Sequence, residues 1–302
     1  MARVGVVVFL ALAFVAVGAV GVFRYARGFW LYRGFPPPRD PAYVSVQGTT
    51  ERVYVASPAL GGRHQPVDVY LPPGYAASTA RYPVFYLLHG FPGRPGAFLQ
   101  TVRAGVVEDV LVARRRITPF IMVMPFGSTG TFTDKEWVDG IRSHEGWATF
   151  VSRDLVRAID SRFRTIRSGS ARAIGGLSEG GYGAINIALH HPGEFRMVES
   201  WSGYELADPI RSIFGHDRRR LADDSPLLQI PGQAAALRAT HTYFWFYSGS
   251  TDRLVGQNRQ FAAALHRLKI PYRFFIRRGG HNWALWRGNA GVALLAAGRQ
   301  LT

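Results

Sequence analysis

Ser178 lies in Gly176-Leu177-Ser178-Glu179-Gly180, a G-x-S-x-G pattern. This pattern sets a serine on a strained strand-to-helix turn, and its glycines leave room where side chains would clash. A serine hydroxyl is a weak nucleophile until a neighbouring base accepts its proton. In chains that carry this elbow, the acid and then the histidine follow the serine in sequence. His281 suits the base: it falls in Gly279-Gly280-His281-Asn282-Trp283, a glycine-rich loop just past an apolar run. His190 and His191 end a helical stretch, whereas His144, His216, His241 and His266 precede or miss the right strand end. Asp252 follows the run Tyr243–Tyr247, where a carboxylate would hold the histidine's tautomer and stabilise its charged form. It also suits a helix N-cap, because a helical pattern opens at Leu254. Asp208, Asp217, Asp223 and Asp224 are the other acids in reach of the sequence order. An oxyanion needs two backbone N–H donors. Glu179, directly after the serine, would give one, and Phe91, in His89-Gly90-Phe91-Pro92-Gly93, the other. His89 reads as a residue that fixes this loop.

The elements needed to carry these groups are legible as periodicities. Two strand patterns, 52–56 and 67–71, come before any helix and suit an antiparallel entry to a sheet. Further strands are predicted at 84–88, 120–124, 171–177, 197–201, 243–247 and 272–276. Helices are predicted at 96–113, 147–163, 181–190, 254–268 and 282–294. Strands alternating with helices imply crossovers and a mostly parallel sheet. Residues 204–240 exceed a simple crossover and read as a short cap-like insertion.

Ahead of this 46–302 domain come a flank at 1–3, an apolar run at 4–23 and a proline-rich linker at 24–45. Twenty helical residues rise about 30 Å, the thickness of a bilayer core. The run is expected to be a single-pass transmembrane helix, with a cleaved signal as the alternative. Phe29, Trp30 and Tyr32 suit an interfacial belt, and Arg3 against Arg24, Arg27 and Arg33 leans the domain toward the cytoplasm. Net charge is +16, with Lys135 and Lys269 the only lysines. Such a charge attracts nucleic acid or anionic lipid, yet no nucleic-acid motif accompanies it, so no nucleic-acid partner is expected. The chain has no cysteine, which rules out disulfides, thiolate metal sites and cysteine nucleophiles. No H-E-x-x-H and no phosphate-binding loop occurs. No cofactor and no metal are expected.

Several segments resemble the esterase family that includes S-formylglutathione hydrolase, feruloyl esterases and the antigen 85 mycolyltransferases. They are Leu87–Gly90, Met124–Gly127, Trp147–Leu155, Gly176–Ala184 and Gly279–Trp286, within a resemblance spanning roughly 48–298. The resemblance implies an α/β-hydrolase fold, a triad of Ser178, Asp252 and His281, and oxyanion amides at Phe91 and Glu179. Together with the apolar run at 4–23, it points to a membrane-anchored serine esterase acting on a small-molecule or lipid ester through an acyl-enzyme. Exported relatives tip the domain outward across the cell membrane. Two departures stand out: Glu179 replaces the family's usual methionine, and Asp252 replaces the glutamate of the mycolyltransferases. Acyl transfer to a sugar or lipid hydroxyl is one alternative, and a non-catalytic surface binding module another. The Glu179 carboxylate is expected either to face the acyl pocket or to pair with an arginine. Trp137, Trp201, Trp283 and Trp286 are expected in the core rather than along an acyl site.

Overall fold

A computed structural model describes residues 2–32, 39–40, 42, 44–130 and 132–301. Arg33 and the proline run 35–38 lie outside the described residues, as do the side chains of Phe29, Trp30 and Tyr32. After helix α1 (Ala2–Tyr32) the chain forms β1 (Thr49–Ser57), β2 (Arg63–Leu71), β3 (Val84–Leu88), α2 (Ala104–Ala113) and β4 (Ile121–Pro125). Then come α3 (Trp147–Thr149), α4 (Val156–Arg162), β5 (Arg172–Leu177), α5 (Glu179–His190) and β6 (Met197–Trp201). The chain closes with α6 (Arg211–Phe214), α7 (Arg218–Asp223), α8 (Pro226–Ala239), β7 (Tyr243–Gly249), α9 (Val255–Arg267), β8 (Tyr272–Arg277) and α10 (Trp283–Gln300).

The eight strands form one sheet in the order β1-β2-β4-β3-β5-β6-β7-β8. β2 pairs antiparallel with β1 and β4, and every pairing from β4 to β8 is parallel. A parallel sheet covered on both faces needs strands apolar throughout, and β3 and β4 are buried at every position. Side chains alternate between faces. Val84, Tyr86 and Leu88 of β3 join the core under α4, α5, α8 and α9, whereas Phe85 and Leu87 join the core under α2 and α10. Fully burying one such side chain stabilises by about 1.5–3 kcal/mol.

Two predicted helices differ in detail. The 96–113 segment is broken: Phe98–Val102 is a π-helical turn, and Arg103, at φ 64°, separates it from α2. The break lets Phe98 and Val102 enter the core ahead of α2. The 147–163 segment is a single helical path, with a π-helical stretch at Phe150–Leu155 between α3 and α4. Within 204–240, α8 packs Ile230, Ala234 and Leu237 into the main core as an ordinary crossover helix. Ile213 and Phe214 instead form a small separate cluster with Val138, Tyr182, Tyr204 and Ala207.

Because β3, β5, β6, β7 and β8 run parallel, their C-terminal ends share one edge. That edge presents Gly90, Ser178, Ser202, Asp252 and His281, each within a few residues of a strand end. Open parallel sheets bind their ligands at this edge.

Candidate active site

Ser178 follows β5 at φ 55° and ψ −122°, a conformation that side-chain-bearing residues rarely adopt. The neighbouring glycines permit it. A Cβ on Gly180 would stand 1.9 Å from the Leu88 carbonyl oxygen, and one on Gly176 2.4 Å from the same atom. The Ser178 N–H donates to the Trp201 carbonyl at 3.0 Å, which fastens the turn to β6.

His281 joins the two side chains that sequence order assigned to it. Its Nε2 lies 2.8 Å from Ser178 Oγ, and its Nδ1 lies 2.8 Å from Asp252 Oδ2. With Nδ1–H donating to Asp252, Nε2 is left to accept the serine proton. The turn beyond His281 is held by Asn282, whose side chain accepts the Leu285 N–H at 3.1 Å and caps α10. Trp286 stands edge-on to the imidazole with centroids 5.1 Å apart, and its Nε1–H donates to the Trp201 carbonyl at 3.1 Å.

Asp252 serves both readings made of it. Its Oδ1 accepts the Leu254 N–H at 2.9 Å just ahead of α9, and its Oδ2 faces the histidine. Burial alone would push this carboxyl up. The hydrogen bond and charge of His281, the Leu254 amide and the Ser202 hydroxyl together hold it below its ordinary value. Ser202 carries no signal in the sequence, being a lone serine after a strand. It is fully buried, takes φ 55° and donates its N–H to the Tyr247 carbonyl at 2.8 Å. Its hydroxyl meets no partner in strict hydrogen-bond geometry, yet it favours the charged form of Asp252.

A cleft of about 210 Å³ opens over Ser178, lined by Phe91, Leu177, His281, Asn282, Trp283 and Trp286 among others. Trp286 is buried in the core as expected, with Trp283 packed partly buried against it, and both also wall the cleft, while Trp137 and Trp201 are fully buried. The two indoles stand edge-on to each other with centroids 5.0 Å apart. Phe91 is 43% exposed at the cleft's lip. Glu179 opens α5, and first-turn N–H groups lack intrahelical acceptors and sit at the positive end of the helix dipole. His89 bridges two loops: one ring nitrogen lies 3.0 Å from the Gly90 carbonyl, and Nε2 accepts the Gly127 N–H at 3.1 Å. Burial lowers its pKa to about 4, so the ring stays neutral and serves as a strut.

The Glu179 side chain meets neither expectation. It is buried beside Asp134 and Glu136, and the Glu136 N–H donates to Asp134 Oδ1 at 3.0 Å. Burial, then the charges of Asp134 and Glu136, push its carboxyl well up. Glu136 is itself raised to about 8, chiefly by burial and then by Asp134, and it accepts the Tyr204 hydroxyl at 2.6 Å. Among the described residues, no group of three or more His, Asp or Glu side chains is disposed to hold a metal ion.

The sheet order and this serine–histidine–aspartate edge define an α/β-hydrolase. The chain belongs to the Esterase family, described as "Putative esterase", which it matches over residues 57–295. It is similar to an esterase of Mycobacterium tuberculosis, with 27% identity over 244 residues, 71% of this chain and 52% of the relative. The chain thus spans about half the length of such curated relatives. Among solved structures it resembles a ferulic acid esterase, with TM-score 0.75, 24% identity, and 85% of this chain and 100% of the other covered. It also resembles an S-formylglutathione hydrolase from Agrobacterium tumefaciens, with TM-score 0.72, 18% identity, and 86% and 98% covered.

Proposed function

We propose that this chain is a membrane-anchored serine esterase that cleaves a carboxylic ester through an acyl-enzyme. The observation that carries the reading is the continuous relay from Ser178 Oγ through His281 to Asp252, with both contacts at 2.8 Å. In the reaction, Ser178 Oγ attacks the ester carbonyl while His281 Nε2 takes its proton. The Phe91 and Glu179 amides receive the charge that develops on the carbonyl oxygen. Collapse expels the alcohol, which takes the proton from His281 and leaves an ester on Ser178. A water then attacks that ester with His281 again as base, releasing the acid and restoring the serine. Asp252 stays ionised and stabilises the imidazolium at both stages.

Anchoring is supported by α1, in which Gly5–Ala26 is 22 residues of mean hydropathy 2.9, exposed throughout. Analogy with exported members of the family favours a catalytic domain outside the cytoplasm. The deciding experiment compares wild type with Ser178→Ala on p-nitrophenyl esters of increasing chain length. The expected result is turnover by wild type and a loss of about 10⁴-fold or more in the variant. Equal turnover by the two proteins would end the proposal.

A further inference from the structure

The segment that leaves α1 is fastened beside the mouth of the catalytic cleft. The Asp40 carboxylate lies 2.6 Å from the Arg287 guanidinium and 3.3 Å from that of Arg103. Arg287 sits one turn past Trp283 on α10 and directly after Trp286, the two indoles that wall the cleft. Arg103 joins the Phe98 turn to α2, and the Phe98 ring packs edge-on against Trp201 at 5.8 Å. α1 itself meets the domain along α10. Within α1 the apolar stretch ending at Ala26 is bare, whereas Gly28 is partly covered.

Chain length sets how far this point can stand from a bilayer. From Ala26 to Tyr32 the helix rises about 9 Å, and the eight residues to Asp40 add at most about 28 Å. The sum, about 37 Å, is less than the roughly 47 Å across a compact domain of this size. A domain tethered at one edge within that reach keeps that edge on its membrane side. The cleft's lip suits such a place. Phe91 is exposed there beside Trp283, and aromatic rings favour the bilayer interface. Arg94, three residues from Phe91, is exposed in a neighbouring groove with Arg52, and basic groups beside the cleft are drawn toward anionic headgroups.

On the anchored-esterase reading given above, we propose that the cleft opens onto the bilayer surface and takes its ester from a membrane-resident amphiphile. The lipid would keep its apolar part in or near the bilayer while its ester carbonyl reaches Ser178. A freely soluble ester of the same chemistry would gain nothing from the tether.

The test uses the full chain in phosphatidylcholine–phosphatidylglycerol vesicles with two esters. One is soluble p-nitrophenyl acetate, and the other is a long-chain monoacylglycerol carried in the same bilayer. Two variants accompany wild type: Asp40→Arg, and an insertion of roughly twenty Gly/Ser residues after Pro37, a flexible spacer that removes the distance limit. With Asp40→Arg, two attractions at the domain's surface become repulsions, and hydrolysis of the bilayer ester should fall about fivefold. The insertion should lower it at least as far. Turnover of the soluble ester should stay within about twofold of wild type in both, since neither change touches the catalytic groups. Unchanged bilayer hydrolysis in both variants, or equal losses on both esters, would overturn the proposal. Soluble turnover by wild type with no bilayer turnover would overturn it while leaving the esterase reading intact. Absence of both, with no fluorophosphonate labelling of Ser178, would overturn the esterase reading as well.

Discussion

Replacing Asp252 by asparagine tests the proposed site most sharply, because it changes one charge and almost no volume. The carboxylate is 2.8 Å from Nδ1, which puts the two charge centres of the carboxylate–imidazolium pair about 4 Å apart. At an effective dielectric constant near 20 that pair is worth about 4 kcal/mol. The imidazolium exists only once the serine proton has moved, so the loss falls on the transition state. A kcat lowered about 10³-fold follows, with KM little changed. An asparagine amide turned toward the ring would add to this, since its N–H₂ demands the tautomer that cannot accept from Ser178. The fold should persist, because an amide oxygen can still take the Leu254 N–H. Steady-state hydrolysis of p-nitrophenyl acetate near pH 8 reads the loss, and calorimetry checks folding. A kcat within tenfold of wild type, in a variant that unfolds normally, would refute Asp252 as the acid. The same variant carries a stability signature. The folded carboxyl titrates below its ordinary 3.8, so it contributes stability above that value and loses it as pH falls further. In acid the variant should therefore lose less stability than wild type.

Ser202→Ala should lower kcat about threefold at unchanged KM, because a hydroxyl that favours the charged Asp252 is lost; an unaltered kcat would remove Ser202 from the site. Glu179→Met should keep kcat within about threefold, because the backbone amide remains, and should stabilise by about 1–2 kcal/mol, since an apolar side chain replaces a buried carboxyl among carboxyls. A large fall in kcat would instead mean that the carboxyl itself acts in the reaction. Thermal stability should also decline as pH rises from about 5 to about 8. Burial raises Glu136 to about 8 and lifts Glu108, Glu179, Glu199 and Glu205 well above 4.5. Across that window the folded chain holds more protons than the unfolded one, so stability falls with pH. A melting temperature that climbed instead would contradict this, and Glu199→Gln should flatten the slope.

The sequence alone determined the parts that are local or periodic. The apolar runs of β3 and β4 announce a sheet covered on both faces. The glycines around Ser178 announce an elbow, because only residues without a Cβ fit against the Leu88 carbonyl. The serine–aspartate–histidine order then matches the order in which chains with this elbow carry their acid and base. Tertiary structure decided what depends on groups far apart in the chain. Ser202 reaches Asp252 only because β6 and β7 lie side by side, so no spacing rule reveals it. Trp286 lines the cleft as well as the core because the Asn282 cap fixes how α10 starts, a geometry that hydropathy does not encode. Glu179 turns toward Asp134 and Glu136 because its loop neighbours come from the far end of β4, more than forty positions away. Backbone sterics and hydrophobic alternation act between near neighbours and can be read from a string of residues. The company a buried polar side chain keeps is set by the closing of the sheet.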